Sequence, residues 1–77
     1  MSDIEKLLKD MKGKGEIRFY EMVDENIAKI IMRMEDNYEQ IDVLEAEKIS
    51  ELGFYMTGVF LYPYSKDVIV YLQRRIV

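Results

Sequence analysis

The 77-residue chain contains no cysteine and no histidine. The first absence excludes disulfides, thiolate nucleophiles and cysteine-ligated zinc or iron–sulfur centres. The second removes the side chain most used for proton transfer near neutral pH and for holding transition metals. Proline occurs once and glycine four times, so collagen-like and low-complexity linker sequences are excluded as well. Long apolar runs are also missing. The longest uncharged stretch runs from Leu52 to Ser65 and is interrupted by Gly53, Gly58 and Pro63, whereas a membrane-spanning helix needs about 20 apolar residues in succession. The opening Asp3 and Glu5 differ from the basic segment of a secretory signal, so a cytoplasmic chain without membrane contact is expected.

What is present is the composition of a folded protein, 49% apolar and 34% charged. A chain this short buries only about 60% of its extended surface, which predicts one domain over residues 1–77 with one small core.

Apolar spacing and punctuation predict the order of elements. Ile4, Leu7, Leu8 and Met11 recur at helical intervals, Ser2 and Glu5 form a capping box, and Gly13 offers a stop, giving a helix over 2–12. A strand of about 16–23 follows, with Ile17, Phe19 and Val23 on one parity and Tyr20 and Met22 on the other. The turn Asp24-Glu25-Asn26 leads to a second strand in which Ala28, Ile30, Met32 and Met34 alternate with Ile27, Lys29, Ile31, Arg33 and Glu35. After the polar Glu35-Asp36-Asn37, residues 38–43 fit two readings. They alternate as a third strand would, yet Asp42 with Glu45 is a second capping box and Ile41 could staple onto Ala46. A helix over 45–52 ends at Gly53, and a hairpin of 54–62 and 68–77 closes around Pro63.

The predicted class is α+β, in the order α-β-β-(β)-α-β-β, with an antiparallel sheet carrying its helices on one face. A shift of 40 residues superimposes Ser2 on Asp42, Glu5 on Glu45 and Gly13 on Gly53, as a tandem αββ pseudo-repeat would. Side-chain identity between the halves is low, so recurring helix punctuation is the simpler explanation.

Chemistry-bearing motifs are few. Gly13-Lys14-Gly15 follows a helix and precedes a strand, the reverse of a dinucleotide fingerprint, and no Ser or Thr follows Lys14 as a P-loop requires. Neither Ser2, Ser50 nor Ser65 sits in a nucleophile elbow. Asp36 starts no calcium loop, since position 38 is tyrosine and the next glycine is Gly53. No catalytic residue, cofactor or metal site is expected.

Three surfaces remain as candidates for binding. Charge is unevenly placed: residues 1–20 carry net +1, residues 21–51 net −7 and residues 52–77 net +2. The acidic block, through Asp24, Glu25, Glu35, Asp36, Glu39 and Asp42, would steer toward a basic protein surface of the kind that holds nucleic-acid phosphates, as a small inhibitor or adaptor does. Its plainer reading is a solubilising surface. The last hairpin is apolar on both parities. Tyr55, Val59, Leu61, Ile69 and Tyr71 are expected to lie opposite the core and to meet a partner or a second copy of the chain. Lys12, Lys14, Arg18, Arg74 and Arg75, with Tyr20 and Tyr71 nearby, are the alternative, a single-stranded nucleic-acid platform. Five basic residues in an acidic chain make that the weaker expectation, as is calcium binding by the acidic turns. The leading expectation is therefore a non-enzymatic protein-interaction module. Titration with calcium, magnesium and single-stranded RNA or DNA at 150 mM salt should show nothing tighter than about 1 mM for the ions and about 10⁻⁵ M for the polymers. Tight binding lost in Lys12→Glu/Lys14→Glu would instead establish the nucleic-acid platform.

Overall fold

Ser2 Oγ accepts a hydrogen bond from the Glu5 N–H at 3.3 Å and starts helix α1 (Asp3–Gly13), whose Ile4, Leu8 and Met11 are buried. The computed structural model describes residues 2–33 and 43–75. The remaining described elements are β1 (Phe19–Asp24), β2 (Ile27–Arg33), α2 (Val43–Glu51), β3 (Phe54–Tyr62) and β4 (Asp67–Arg74). They confirm the α+β class and the element order. Val43 is the first residue of α2 in the described chain, while the rest of the ambiguous 38–43 segment and the Asp42 cap lie outside the described residues.

The strands form one antiparallel sheet in the order β1-β2-β4-β3. Its two central strands alternate as their sequences require. Ala28, Ile30 and Met32 of β2 and Val68, Val70 and Leu72 of β4 are buried against the helices, while the residues between them turn to the opposite face. Ile4, Leu8 and Met11 of α1, Ile49 of α2 and Phe54 of β3 complete this core, with Leu7, Tyr20, Met22 and Leu52 packed at its margin. Both helices therefore lie on the same side of the sheet.

Two local expectations are corrected. Helix α1 continues through Gly13, and the left-handed residue after it is Gly15 (φ 77°), whose N–H donates to the Lys12 carbonyl at 3.1 Å. The strand expected from about residue 16 begins at Phe19. Ile17 lies in the connection and is buried at 2% exposure, whereas Phe19 is 50% exposed. The core-facing parity of β1 is therefore that of Tyr20 and Met22. Ile17 escapes strand alternation because it precedes the ladder and is free to turn inward.

The pairing of β2 with β4 gives the pseudo-repeat a geometric basis. Ile30 faces Val70, Ile27 faces Gln73 and Arg33 faces Asp67. Residue 70 is both the antiparallel partner of residue 30 and the position 40 places further along, and the same shift carries β2 onto the first seven residues of β4. A local two-fold axis thus passes between Ile30 and Val70, with α1-β1-β2 and α2-β3-β4 arranged in the same order on its two sides, although the outer pairings differ: Phe19 faces Ile31, whereas Val59, 40 places on, faces Val70 and not Tyr71. The glycines of the two halves do not match: Gly13 is helical, whereas Gly53 has φ 85°.

Since Leu8 is fully buried in the shared core, Leu8→Ala should cost about 2–5 kcal/mol. Chemical denaturation followed by circular dichroism measures it. A loss under about 1 kcal/mol would show that α1 does not seal the sheet.

Candidate functional site

The sheet face opposite the helices has no cover among the described residues. Strand registers place Phe19, Ile31, Ile69 and Phe60 in one apolar row crossing all four strands. The adjoining row is Glu21, Lys29, Tyr71 and Gly58, in which Lys29 Nζ and Glu21 Oε2 form an ion pair at 3.7 Å. Arg33 and Asp67 make a second pair across β2 and β4, also at 3.7 Å. Beside these rows a shallow depression of about 480 Å³ is lined by Val23, Ile27, Thr57, Phe60, Tyr62 and Tyr71, among others.

Strand β3 shapes that depression through a bulge. Met56 faces Leu72 and Gly58 faces Tyr71, so Thr57 is an extra residue and parity changes there. The Thr57 hydroxyl donates to the Tyr71 carbonyl at 3.4 Å, fastening the bulge to β4. Beyond it the Phe60 ring folds back over Gly58, where a Cβ would lie 3.0 Å from the ring, and meets the Tyr71 ring edge-on at 5.7 Å between centroids. Glycine at 58 leaves the room this requires.

The bulge divides the expected apolar set. Tyr55, Ile69 and Tyr71 do lie on the face away from the helices, where Phe60 and Tyr62 join them. Val59 and Leu61, expected with them, face Val70 and Val68 on the helix side. Both remain open nonetheless, Val59 at 51% and Leu61 at 62% exposure, whereas Phe54 at the start of the strand is buried in the same core as Ile49 of α2. Simple alternation cannot reveal this, since one inserted residue reverses every assignment after it.

As a result β3 is apolar and exposed on both sides of a sheet edge. Among the described residues, six of the nine exposed large apolar side chains, Tyr55, Met56, Val59, Phe60, Leu61 and Tyr62, belong to it. The opposite edge, β1, is shorter, carries Glu21 and Asp24, and has the Lys12 ammonium 4.8 Å above the Phe19 ring. Charge and brevity are what native edges use against unwanted pairing; β3 has neither.

The charged candidates are placed differently. Asp24 closes the first hairpin by accepting from the Asn26 N–H at 2.7 Å. The Arg74 N–H donates to the Asn26 carbonyl and the Arg75 N–H to that of Gly53, both at 2.7 Å. The Asp24-Glu25 turn and the end of α2 at Glu51 therefore share one end of the molecule with two arginines. Arg33, where β2 ends, lies on the order of 20 Å from that turn at 3.3 Å per strand residue. Glu35, Asp36, Glu39 and Asp42 lie outside the described residues.

The basic set is split along the same direction. Arg18 precedes β1 at the far end of the sheet from Arg74 and Arg75. Lys14 pairs with Asp10 at 3.1 Å, Arg74 lies 4.7 Å from the Phe54 ring centroid, and Arg75 lies 5.6 Å from that of Tyr55. Tyr20 faces the core while Tyr71 faces away, so these two rings do not share a platform. Among the described residues no group of acidic side chains is arranged to hold a metal ion, and no helix is long and apolar enough to cross a membrane.

The chain matches no protein-family model, no curated protein and no solved structure.

Phe54 and Phe60 share a strand and a chemistry but not an environment, at 1% and 49% exposure. Phe54→Ala should cost about 3–5 kcal/mol. Phe60→Ala should cost about 1–2 kcal/mol, for half the burial and one ring pair. Denaturant melts of the two variants measure the difference. Equal losses would put Phe60 in a closed core and remove it from any binding surface.

Proposed function

We propose that the chain is a non-enzymatic protein-interaction module whose contact element is β3. The observation that carries this reading is the concentration of exposed apolar side chains on both sides of that one edge strand. An edge strand offers its unpaired N–H and C=O groups for strand addition, and flanking apolar side chains supply the burial that holds the added strand. A photo-crosslinking amino acid at Leu61 should give discrete protein adducts in an extract of the source cells, and the same group at the exposed Lys9 of α1 should not. Equal labelling from both positions, or none from either, would overturn the reading.

A second reading gives the acidic segment its own partner, a protein with a basic surface, toward which the chain acts as inhibitor or adaptor. It is favoured by net −7 over residues 21–51, where Glu21, Asp24, Glu25, Glu47 and Glu51 are all exposed. Charge of this kind speeds encounter more than it strengthens the complex. Raising salt from about 50 to 300 mM shortens screening from about 14 to 6 Å, and should slow association with a captured basic partner far more than it speeds dissociation. Glu35→Lys/Asp36→Lys/Glu39→Lys should abolish capture with little change in thermal melt. Undiminished capture by that triple variant would reduce the acidic segment to a solubilising surface.

A further inference from the structure

We infer that the occupant of β3 is a second copy of the chain, added edge to edge so that two four-stranded sheets become one of eight strands. This rests on the assignment of β3 as the contact element and names its partner.

Charge is the first argument. Residues 54–62 contain no charged side chain, although the chain as a whole is one-third charged. A strongly basic or acidic partner would find nothing on β3 to pair with. A second β3 brings no like charges together and presents the same uncharged, two-sided apolar strand.

Symmetry of the faces is the second. Beyond the Thr57 bulge, Gly58, Phe60 and Tyr62 lie on the open face and Val59 and Leu61 on the helix side. A two-fold axis at Phe60 pairs Gly58 with Tyr62 of the second copy, Val59 with its Leu61, and Phe60 with its counterpart. Each residue then meets one from the same face, so both faces run on without a break and all five residues after the bulge are paired.

Area is the third. The four large side chains of the paired segment, Val59, Phe60, Leu61 and Tyr62, are each roughly half exposed and of the order of 200 Å² when fully open, which offers about 400 Å² per copy. Two copies would bury about 800 Å² before backbone is counted, the scale of a small interface that forms and dissociates with concentration. The chain also joins two αββ units internally by antiparallel pairing of β2 with β4 about a local dyad; the outer contact repeats that arrangement between molecules.

Sedimentation equilibrium of the full chain from 5 to 200 µM should give a mass that rises toward twice the monomer's, and Val59→Lys/Leu61→Lys should give the monomer throughout with an unchanged circular dichroism spectrum. The absence of native cysteine makes a single introduced thiol a clean reporter. Phe60→Cys should form a disulfide-linked dimer under mild oxidation, and Phe19→Cys on the other edge should not. Amide exchange at alternate residues of 58–62 should slow several-fold from the lowest to the highest concentration, up to the limit of about sixfold that mass action sets for a dimer over this range. A parent chain that stays monomeric at 200 µM overturns the inference, as does a dimer that survives Val59→Lys/Leu61→Lys and crosslinks through position 19. A monomer whose β3 amides are already protected would assign the cover to another part of the same chain and equally overturn it. In either monomeric case, heterologous adducts from the Leu61 photo-crosslinker would leave β3 as the contact element for a different protein, whereas their absence would remove both readings.

Discussion

Helices of 11 and 9 residues, about 16 and 13 Å long at 1.5 Å per residue, are all that the described chain has to lay against a four-stranded sheet. They suffice for one face, and there Ile4, Leu8 and Met11 meet the inward residues of β2 and β4. The outer half of β3 stays exposed on both faces. The single-sided core fixes where polar and apolar residues are tolerated. The central strands alternate strictly, and the open face offsets its apolar row with the Glu21–Lys29 and Arg33–Asp67 ion pairs. Exposed pairs of this kind contribute little to stability, and their effect is to keep most of the open face wet. On β3 no such charge intervenes.

How much of this was legible in the sequence depended on whether local spacing or tertiary pairing decided the outcome. Leu8 on a helical stripe, Ser2 with Glu5 at a cap, and Ala28, Ile30 and Met32 at every second position of a strand are decided locally, and helix, hairpin and central strands follow. The element order and the one-sided helix placement were readable from such signals. Gly13 and Gly15 were not distinguishable, because both sit where a helix could stop and only the hydrogen bond from Gly15 to Lys12 selects between them. Ile17 was unreadable for a similar reason: it is apolar and β-branched like its strand neighbours, but lies ahead of the first paired residue, Phe19.

The candidate site was half legible. An excess of apolar residues over what two short helices can cover was visible in the C-terminal hairpin. Tyr55, Ile69 and Tyr71 were placed on the correct face because no bulge separates them from their own strand's register. Spacing groups Val59 and Leu61 with them, because the extra residue at Thr57 carries no sequence mark beyond the glycine that follows it. Gly58 next to a β-branched run is the one signal that could have suggested a bulge. Of the acidic candidates only Asp24 and Glu25 lie among the described residues, and the separation of the described charges has a topological reason. Residues close in sequence, such as those flanking β2, are set at opposite ends of a strand about 20 Å long, whereas Asn26, Gly53 and the Arg74-Arg75 pair, far apart in sequence, share one end.

The local two-fold between the αββ units makes the difference between the two edge strands informative. In a symmetric pair of units, β1 and β3 occupy equivalent places, each hydrogen-bonded on one side to a central strand. Folding alone asks the same of both: an inward face that packs, and an outer edge that does not recruit other chains. Strand β1 meets the second demand with six residues, two of them acidic, and a lysine over its first ring. Strand β3 has nine residues, none charged; Arg74 and Arg75 lie over its first two rings, Phe54 and Tyr55, while Val59, Phe60, Leu61 and Tyr62 beyond the bulge are exposed on both faces. Packing cannot explain the contrast, since Phe54 alone on β3 is buried. Substituting lysine at Leu61 or Tyr62 would remove the hazard at little cost to the core, because both side chains already face solvent. An edge left apolar where protection is structurally cheap is the feature that the core does not require, and it is where binding by this molecule is to be sought.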